Sequence, residues 1–323
     1  MFNDIYSSIL RELVDFHPYL AASEYYDAKG SNEKIIGAVY KVNPTSSLGL
    51  KFGLELTASK LCDLSRLMVT AKDVSNCLQL IPQVAHIQKA PFYPFVTQQE
   101  GIVSISVTFP YDKTLSQQHR RFYVESLFVY IKHFCQDFFE QPYTPSSINL
   151  DYDAPPYAQE YHQAFDCHVS FNCPLSVMRF KVNNPHNPLI TSHTLLHNIY
   201  LKRAMETAQK DNGVEHTKFQ ITNTLMQHHP QSLNSQSHAD QFDISVRALQ
   251  KRLHKTGTSY SDLLALARME LTKIYLYQYR AGVKYSAQQL GFKTVTGFKQ
   301  FFKSAFGMPL DEAQINHGPL IWE

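Results

Sequence analysis

The stretch Asn234-Ser-Gln-Ser-His-Ala-Asp-Gln-Phe-Asp-Ile-Ser-Val-Arg-Ala-Leu-Gln-Lys-Arg-Leu253 has the pattern of a short helix, a turn and a second helix with one polar face. The stretch Tyr285-Ser-Ala-Gln-Gln-Leu-Gly-Phe-Lys-Thr-Val-Thr-Gly-Phe-Lys-Gln-Phe-Phe-Lys303 repeats this pattern. Ala239 and Ala287 occupy the same place in the two copies, where a small side chain lets two helices approach closely. The last third of the chain therefore predicts two helix-turn-helix units.

Local signals place the ends of these helices. Asn234 can cap the first short helix because its side chain accepts a hydrogen bond from an otherwise unpaired N–H group. Ser245 and Thr294 are the corresponding caps of the second helix in each unit. Gly257 suits the left-handed position that ends a helix. A long helix over about 259–279 is expected to join the two units.

Positive charge is concentrated in the same region. Residues 245–303 hold 11 Lys or Arg against two acidic residues, Asp262 and Glu270, while residues 1–244 carry a net charge of −4. A compact basic segment in an otherwise mildly acidic chain is expected of a domain that meets a phosphate backbone. A solvated basic face is the other interpretation that charge alone allows.

The stretch closely resembles the DNA-binding domain of the AraC/XylS family of bacterial transcription regulators. The residues that carry the resemblance are Ser245, Arg247, Leu249, Leu253, Gly257, Arg268, Ala287, Leu290-Gly-Phe292, Phe298, Phe302-Lys303, Gly307 and Pro309. The resemblance implies that the second helix of each unit enters the major groove of double-stranded DNA. Two such helices about 34 Å apart would enter successive grooves on one face of the duplex.

Helical spacing then divides the residues of these two helices. We expect Leu249 and Leu253, and likewise Phe298 and Phe302, to face inward, and polar residues to face DNA. Arg and Gln can read guanine and adenine through paired hydrogen bonds, whereas lysines are better suited to phosphate. The expected DNA-binding residues are Ser245, Arg247, Gln250, Lys251, Lys255, Thr294, Thr296, Lys299, Gln300 and Lys303.

Polar residues depart from the family pattern. Ser235, His238 and Ser286 stand where the family commonly has apolar residues, and the ending Pro309-Leu-Asp-Glu-Ala-Gln lacks a Tyr-Arg pair. Each polar residue could remove about 1–3 kcal/mol of apolar burial, or be hydrogen-bonded and harmless. These departures leave open an alternative function, a small-molecule receptor or interaction protein with a degenerate DNA-binding domain.

The chain before this region predicts a mixed α/β (α+β) domain with antiparallel strands. Alternation in Ile102-Val-Ser-Ile-Ser-Val-Thr-Phe109 predicts a half-buried strand, with Ser104, Ser106 and Thr108 on its polar face. Residues 92–97 are its expected partner. Helices are predicted at 5–16, 35–42, near 58–69, near 72–88, 115–139 and 157–165, and further strands at 147–152, 167–172 and 176–182.

Two stretches of this domain resemble one type of AraC-family N-terminal domain, named for arabinose binding. They are Leu48-Gly-Leu-Lys-Phe-Gly-Leu54 and Tyr161-His-Gln-Ala-Phe-Asp-Cys-His-Val-Ser-Phe-Asn-Cys-Pro174. The resemblance implies a sensor or regulatory module and does not identify its ligand. Expected partners are therefore double-stranded promoter or operator DNA, a small-molecule effector, a second copy held through the N-terminal domain and, for an activator, RNA polymerase.

The expected domains are a regulatory domain over 1–185, a linker with a helix over 186–213 and the all-α DNA-binding domain over 214–323. Turn-forming residues in Val182-Asn-Asn-Pro-His-Asn-Pro188 mark the linker. No run approaches the ~18 apolar residues of a membrane span, and the N-terminus has no secretory pattern. We expect a cytoplasmic protein without membrane contact.

Other chemistry finds little support in the sequence. Five cysteines without C-x-x-C spacing fit free thiols in a reducing compartment. Neither the group His162, Cys167, His168 and Cys173 nor the pair His228 and His229 has recognised zinc spacing. No G-x-S-x-G elbow, P-loop or dinucleotide fingerprint occurs. We therefore expect no enzyme activity, metal or cofactor.

Overall fold

A computed structural model describes residues 32–56, 62–87, 90–111, 115–139, 143–209, 214–228, 230 and 234–316. The helix expected at 5–16 lies outside them. The chain divides into two compact units. The first holds the described residues up to 90, 94–107 and 114–208, and the second holds 91–93, 108–113 and the chain from 209 onward. No helix among the described residues is long and apolar enough to cross a membrane.

Helices and one sheet make up the first unit. Its helices are α1 (Asn32–Val42), α2 (Leu48–Glu55), α3 (Cys62–Val69), α4 (Val74–Gln79), α5 (Ile81–Ile87), α6 (Gln117–Phe138), α7 (Ala158–Phe165) and α8 (Thr194–Gln209). Its strands are β1 (Tyr93–Gln99), β2 (Ile102–Thr108), β3 (Pro145–Asn149), β4 (His168–Ser170) and β5 (Ser176–Lys181), except that the end residues Tyr93 and Thr108 are assigned to the second unit.

The five strands form one sheet in the order β1-β2-β5-β3-β4. Strand β5 is antiparallel to both β2 and β3, and only β3 and β4 run parallel. Met178 lies between Ile105 and Ile148 in register, and all three side chains are fully buried. Glu100 and Gly101 both have positive φ, at 49° and 74°, which suits the tight turn between two antiparallel strands. The expected mixed α/β fold with antiparallel strands is confirmed.

Strand β2 corrects one expectation, since its polar face is not exposed. Ser106 and Thr108 are fully buried. The hydroxyl of Ser106 donates to the carbonyl of Phe95 at 3.4 Å, and that of Thr108 donates to the carbonyl of Tyr93 at 2.9 Å. Because each hydroxyl finds a backbone acceptor on β1, it can leave water at little cost. The alternating pattern of β2 therefore predicted correctly which side chains are polar, but it predicted wrongly that these polar side chains are exposed to water.

Helix α2 is a second correction, because the sequence pattern predicted helices near 58–69 and 72–88 but none here. The glycines of α2 lower its intrinsic tendency to form a helix, but they also allow the close packing that stabilises it. A Cβ on Gly49 would lie 2.8 Å from the Phe122 carbonyl, and one on Gly53 would lie 2.6 Å from the Val129 Cβ. The bare glycine face therefore lets α2 approach α6 closely. The region expected as one helix over 72–88 is broken into α4 and α5.

A buried carboxylate lies where α2, α6 and α7 meet. The Glu125 carboxylate Oε1 accepts hydrogen bonds from the hydroxyls of Tyr157, at 2.8 Å, and Tyr161. The guanidinium of Arg121 lies 5.3 Å from the centre of the Tyr40 ring and 5.4 Å from that of Tyr157. Burial raises the pKa of Glu125 to about 7, although the two tyrosine hydroxyls and Arg121 act in the opposite direction.

The segment expected as a linker is hydrogen-bonded to the first unit. The amides of Val74 and Ser75 donate to the carbonyls of Asn187 and Pro185, and Asp73 forms a bridge with Pro188. The Thr191 hydroxyl donates to the Val69 carbonyl at 2.5 Å. These bonds fix the start of α8.

Among the described residues from 214 onward, all regular secondary structure is helical, as expected for the fold class. Its helices are α9 (Val214–Gln227), α10 (Ser235–Gln241), α11 (Val246–Lys255), α12 (Tyr260–Lys273), α13 (Val283–Gln289), α14 (Val295–Phe306) and α15 (Leu310–Asn316). Helix α12 continues as a π-helical turn over Ile274–Gln278, so the long joining helix is confirmed. Within the same unit the Tyr111 ring stacks on Phe219, with 4.7 Å between ring centres.

Candidate nucleic-acid interface

Helices α10 and α11 form the first helix-turn-helix unit. The Asn234 side chain accepts from the Ser237 amide at 2.8 Å, and the Ser237 hydroxyl accepts from the Asn234 amide at 3.0 Å. This reciprocal capping box fixes the start of α10. Ser245 caps α11 by accepting from the Ala248 amide at 3.2 Å. Between the helices, Asp243 takes a left-handed conformation with φ 53°.

Helices α13 and α14 repeat this geometry. Thr294 caps α14 by accepting from the Gly297 amide at 3.1 Å, and Gly291 at the turn has φ 75°. One backbone bond is common to both units: the carbonyl of the buried alanine accepts from the amide five residues later. The distance is 3.0 Å from Ile244 to Ala239 and 2.9 Å from Phe292 to Ala287. The two copies in the sequence are therefore two copies in structure.

Arg268 on α12 fixes the turn of the second unit. Its Nε donates to the Leu290 carbonyl at 2.8 Å and its Nη2 to the Gly291 carbonyl at 3.3 Å. The guanidinium also lies over the Phe292 ring, 4.6 Å from its centre. An arginine can contact the face of an aromatic ring and donate to backbone carbonyls at the same time, because its guanidinium group is planar and its N–H donors point outward in that plane. Arg268 therefore orients α14 from the joining helix.

The second helix of each unit separates apolar from polar residues as expected. Leu249 and Leu253 on α11 are fully buried, and so are Phe298 and Phe302 on α14. All ten residues expected to meet DNA are exposed: Ser245, Arg247, Gln250, Lys251, Lys255, Thr294, Thr296, Lys299, Gln300 and Lys303. Exposed Arg252 and Lys293 add two cations that the sequence reasoning did not include. Each helix thus presents a charged, hydrogen-bonding surface on a rigid apolar base.

One of these ten residues, Lys299, forms an ion pair that could not be predicted from the spacing of residues in the sequence. The Lys299 ammonium lies 3.1 Å from both carboxylate oxygens of Asp311, on the first turn of α15. Both side chains are well exposed. An exposed ion pair of this kind is worth only about 0–1 kcal/mol, so phosphate can compete for Lys299. Asp311 lowers the positive charge at this point of the exposed surface.

Ser235 and Ser286, which stand where the family commonly has apolar residues, have different environments in the two units. Ser286 is fully buried, and its hydroxyl donates to the Gly282 carbonyl at 3.1 Å, so its polar group is satisfied. Ser235 is half-buried. Both supporting helices form, and Ala239 and Ala287 are buried. These serines do not prevent either unit from packing.

His238 is the one of these three polar residues whose burial leaves a side-chain polar atom without a hydrogen bond among the described residues. It is buried, and its Nδ1 lies 3.0 Å from the Asn234 carbonyl and 3.4 Å from the Tyr260 hydroxyl. Since a carbonyl only accepts, Nδ1 carries the proton and Nε2 is a bare acceptor. Nε2 is buried without a hydrogen-bond partner among the described residues. Burial lowers the pKa of His238, so the ring is neutral at physiological pH.

The residues considered for metal binding do not converge. Among the parts of the chain that the structure describes, no group of three or more His, Cys, Asp or Glu could hold a metal ion. His168 instead lies 3.0 Å from the Ser170 hydroxyl, and the Cys173 thiol contacts the carbonyls of Ser170 and Phe171. His229 lies outside the described residues.

Comparison with known proteins places both units. Residues 33–189 match the arabinose-binding domain of AraC transcription regulators, and residues 238–314 match a helix-turn-helix domain. Among solved structures, the transcriptional regulator CdpR from Pseudomonas aeruginosa matches with 17% identity and a TM-score of 0.47, over 97% of each chain. No curated protein matches. The two domain matches together span more than two thirds of the sequence, and the chain belongs to the AraC family of DNA-binding transcription regulators.

Proposed function

We propose that the protein binds specific operator sequences through α11 and α14 and that the N-terminal domain modulates this binding. The observation that carries the proposal is the pair of capped, exposed helices that share one backbone geometry and a basic surface. Modulation is a shift in population between DNA-competent and DNA-incompetent arrangements, biased by a ligand or by dimerisation. The proposed domains are 1–185, 186–213 and 214–323.

The exposed residues have two roles in this proposal. Arg247 and Gln250 on α11, and Gln300 on α14, read base edges through paired hydrogen bonds, each pair giving about 1–3 kcal/mol of discrimination. Lys255, Lys299 and Lys303 contact phosphates, which position the protein without specifying sequence. Ser245, Lys251, Thr294 and Thr296 complete the surface that meets DNA.

Gel-shift titrations of two variants test this sorting. Arg247→Ala should reduce discrimination at one half-site with little change in the salt dependence of binding. Lys299→Ala should weaken binding to all sequences and reduce the slope of log K against log salt by about one phosphate, or ~0.9. Equal effects of the two variants on specificity and on slope would contradict the assignment.

The two recognition helices are proposed to enter successive major grooves. One chain then reads two half-sites about one helical turn apart, the equivalent of a dimeric operator reader. Footprinting on a bound operator should show two protected major-groove segments separated by about 10 base pairs. A single protected segment would limit readout to one unit.

The effector has a candidate site in the first unit. A cleft of about 380 Å³ lies between α4, α5 and the start of α8, within the range of ~300–1,000 Å³ for small-molecule sites. Six of its nine lining residues carry an amide or a hydroxyl group, among them Asn76, Gln79 and Gln83, and Lys72 is its one charged residue. This chemistry favours a small, hydroxylated, neutral or anionic molecule.

A thermal-shift screen with the full chain tests the effector proposal, because a molecule that binds only the folded state raises the unfolding midpoint. Hydroxylated carboxylates are the first probes. A hit at this cleft should lose its shift in the Lys72→Ala and Gln79→Ala variants. A shift that survives both substitutions would place the effector elsewhere.

The remaining partners follow from this function. A regulator of this kind acts on chromosomal DNA, which supports a cytoplasmic location and no membrane contact. A homodimer through the N-terminal domain would double the DNA contacts, and RNA polymerase would be a further partner if the protein activates transcription. Loss of promoter response in a deletion strain, restored by the wild-type chain, would establish the regulatory role.

A further inference from the structure

The second unit contains two short segments that come from much earlier in the chain than its helices. They are residues 91–93, at the start of β1, and residues 108–113, at the end of β2. Both segments lie inside the stretch 33–189 that matches the arabinose-binding domain, whereas the chain from 209 onward carries the two helix-turn-helix units. Part of the sequence of the N-terminal family match therefore packs with the helices of the second unit.

Each of these segments contributes one buried tyrosine, Tyr93 or Tyr111. The Thr108 hydroxyl donates to the Tyr93 carbonyl at 2.9 Å, which ties the two segments to each other. The Tyr111 ring stacks on Phe219 of α9, with 4.7 Å between ring centres and 19° between ring planes. The Tyr111 hydroxyl donates to Oδ1 of the buried Asn223 at 3.3 Å. Tyr111 therefore makes an aromatic contact and a hydrogen bond to one helix, α9.

The residues of α9 that the two tyrosines contact form one stripe along the helix. Phe219, Asn223 and Gln227 follow each other at intervals of four residues, which places them side by side on one face. The Gln227 side chain is within hydrogen-bonding reach of the Tyr93 hydroxyl. Tyr93 and Tyr111 together thus contact the stripe over about two helical turns. A rotation of α9 would break the contacts of both tyrosines at once.

Helix α9 also packs against the first helix-turn-helix unit. It contacts α11, the second helix of that unit, and α12, the joining helix. Ile221 and Leu225 of α9 are fully buried, and each lies two residues from a member of the stripe, or about 200° around the helix. Helix α9 thus has one buried side away from the tyrosines, and it connects Tyr93 and Tyr111 to α11.

We infer that Tyr93 and Tyr111 are positioning residues for the recognition helix α11, because they hold the helix α9 on which α11 packs. The inference goes beyond the surface that meets DNA, and its consequence for DNA rests on the proposed function, in which α11 reads one half-site. Helix α14 is oriented by a different contact, since Arg268 on α12 holds the turn before it. Loss of the tyrosine contacts should therefore affect α11 more than α14.

Hydrogen exchange of the full-length protein, followed by mass spectrometry, tests the positioning without DNA. In Tyr111→Ala the amides of α11 should exchange faster than in wild type, by about 2- to 30-fold, while those of α14 keep their rates. Tyr111→Phe keeps the stacked ring and should restore most of the protection. Tyr143→Ala is the matched control, since Tyr143 is a tyrosine of the first unit that is as buried as Tyr111, and it should change neither helix. Equal acceleration in α11 and α14, or none in α11, would overturn the inference.

Binding titrations measure the consequence for DNA. The probes are the upstream fragment that wild type binds selectively and two versions of it, each with one half-site scrambled. The half-site of α11 is the one at which Arg247→Ala loses discrimination. Tyr111→Ala should weaken binding through that half-site by about 2- to 30-fold and leave the other unchanged, and an equal loss at both would overturn the inference. If wild type binds no fragment selectively, the proposed function fails, whereas faster exchange confined to α11 would still support its positioning by Tyr111.

Asn223→Ala is the second variant, in case circular dichroism shows that Tyr111→Ala folds poorly. It removes the acceptor of the Tyr111 hydroxyl, and alanine preserves the helical tendency of α9. Exchange should again become faster in α11 and stay unchanged in α14. Unchanged exchange in α11 would overturn the inference.

Discussion

Lys299 and Asp311 form an ion pair at the edge of the recognition surface, with the ammonium 3.1 Å from both carboxylate oxygens. Lys299 extends from α14, one of the two helices expected to enter DNA, and Asp311 lies on the first turn of α15. In the proposed function, the Asp311 carboxylate would compete with a DNA phosphate for Lys299.

Removing that competition should strengthen DNA binding. Asp311→Asn frees Lys299 for phosphate, so affinity should rise for specific and unrelated sequences alike, and the salt slope should steepen by up to about 0.9. Fluorescence anisotropy across a salt series measures both quantities. Glu312→Gln is the matched control because it removes an equal charge from the same exposed turn without a contact to Lys299. If both variants change binding equally, general charge and not the ion pair is responsible.

Gly49 is required where α2 meets α6. In Gly49→Ala the new Cβ would lie 2.8 Å from the Phe122 carbonyl and from the Glu125 Cβ, so the helices must move apart. We expect a loss of about 1–3 kcal/mol in the free energy of unfolding, typical of overpacking. Urea denaturation measures it.

Gly37→Ala is the control for this substitution. Gly37 lies on α1 of the same unit, and the nearest atom to its new Cβ is in the His119 ring at an ordinary 3.6 Å. Because alanine favours helix over glycine, this variant should be more stable by about 0.5–1 kcal/mol. Equal destabilisation by both substitutions would mean that the close approach of α2 is not what Gly49 provides.

His238 should make stability depend on pH. Burial holds its pKa below the unfolded value of about 6.5, so the unfolded chain binds more protons as pH falls through that value, and stability is lost. His238→Leu should remove this loss and raise the free energy of unfolding below pH ~6 by on the order of 1 kcal/mol. The Asn234 carbonyl stays paired in the variant, since it also accepts from the residue 238 amide at 3.2 Å. A His238→Leu profile that loses stability below pH ~6 as steeply as wild type would refute the role of His238.

Glu125 should change stability with pH in the direction opposite to His238. Its pKa is raised by burial to about 7, above its ordinary value of 4.5, so the folded chain binds the extra proton between these values. Stability should therefore fall as pH rises from about 5 to 7, by at most ~1.4 kcal/mol per pH unit for one proton. The difference in unfolding free energy between Glu125→Gln and wild type, measured by denaturation at several pH values, isolates this contribution from that of His238. A difference that is constant across pH would contradict it.

Features that depend on neighbours in sequence were predicted well. The caps Asn234, Ser245 and Thr294 act within three residues of their own positions, so composition and spacing are sufficient to place α10, α11 and α14. The buried pairs on α11 and α14 follow in the same way from helical periodicity.

Features that depend on contacts with residues distant in the chain could not be predicted from the sequence. Helix α2 contains two glycines, and its stability comes from α6, some 70 residues later, so local propensity pointed the other way. Ser106 is buried because the Phe95 carbonyl accepts its hydroxyl. The environment of Glu125 is built from Tyr157 and Tyr161, more than 30 residues away. No periodicity within one element reports such contacts.

In the proposed function, this chain recognises particular DNA sequences through two basic helix-turn-helix units. The most direct test is a binding titration of the full-length protein against DNA from upstream of its own coding region and against scrambled DNA of equal length, repeated over a salt series. We expect tighter binding to one upstream fragment and a steep loss of affinity with salt, because several phosphates would be contacted. Equal affinity for all fragments, or binding insensitive to salt, would contradict it.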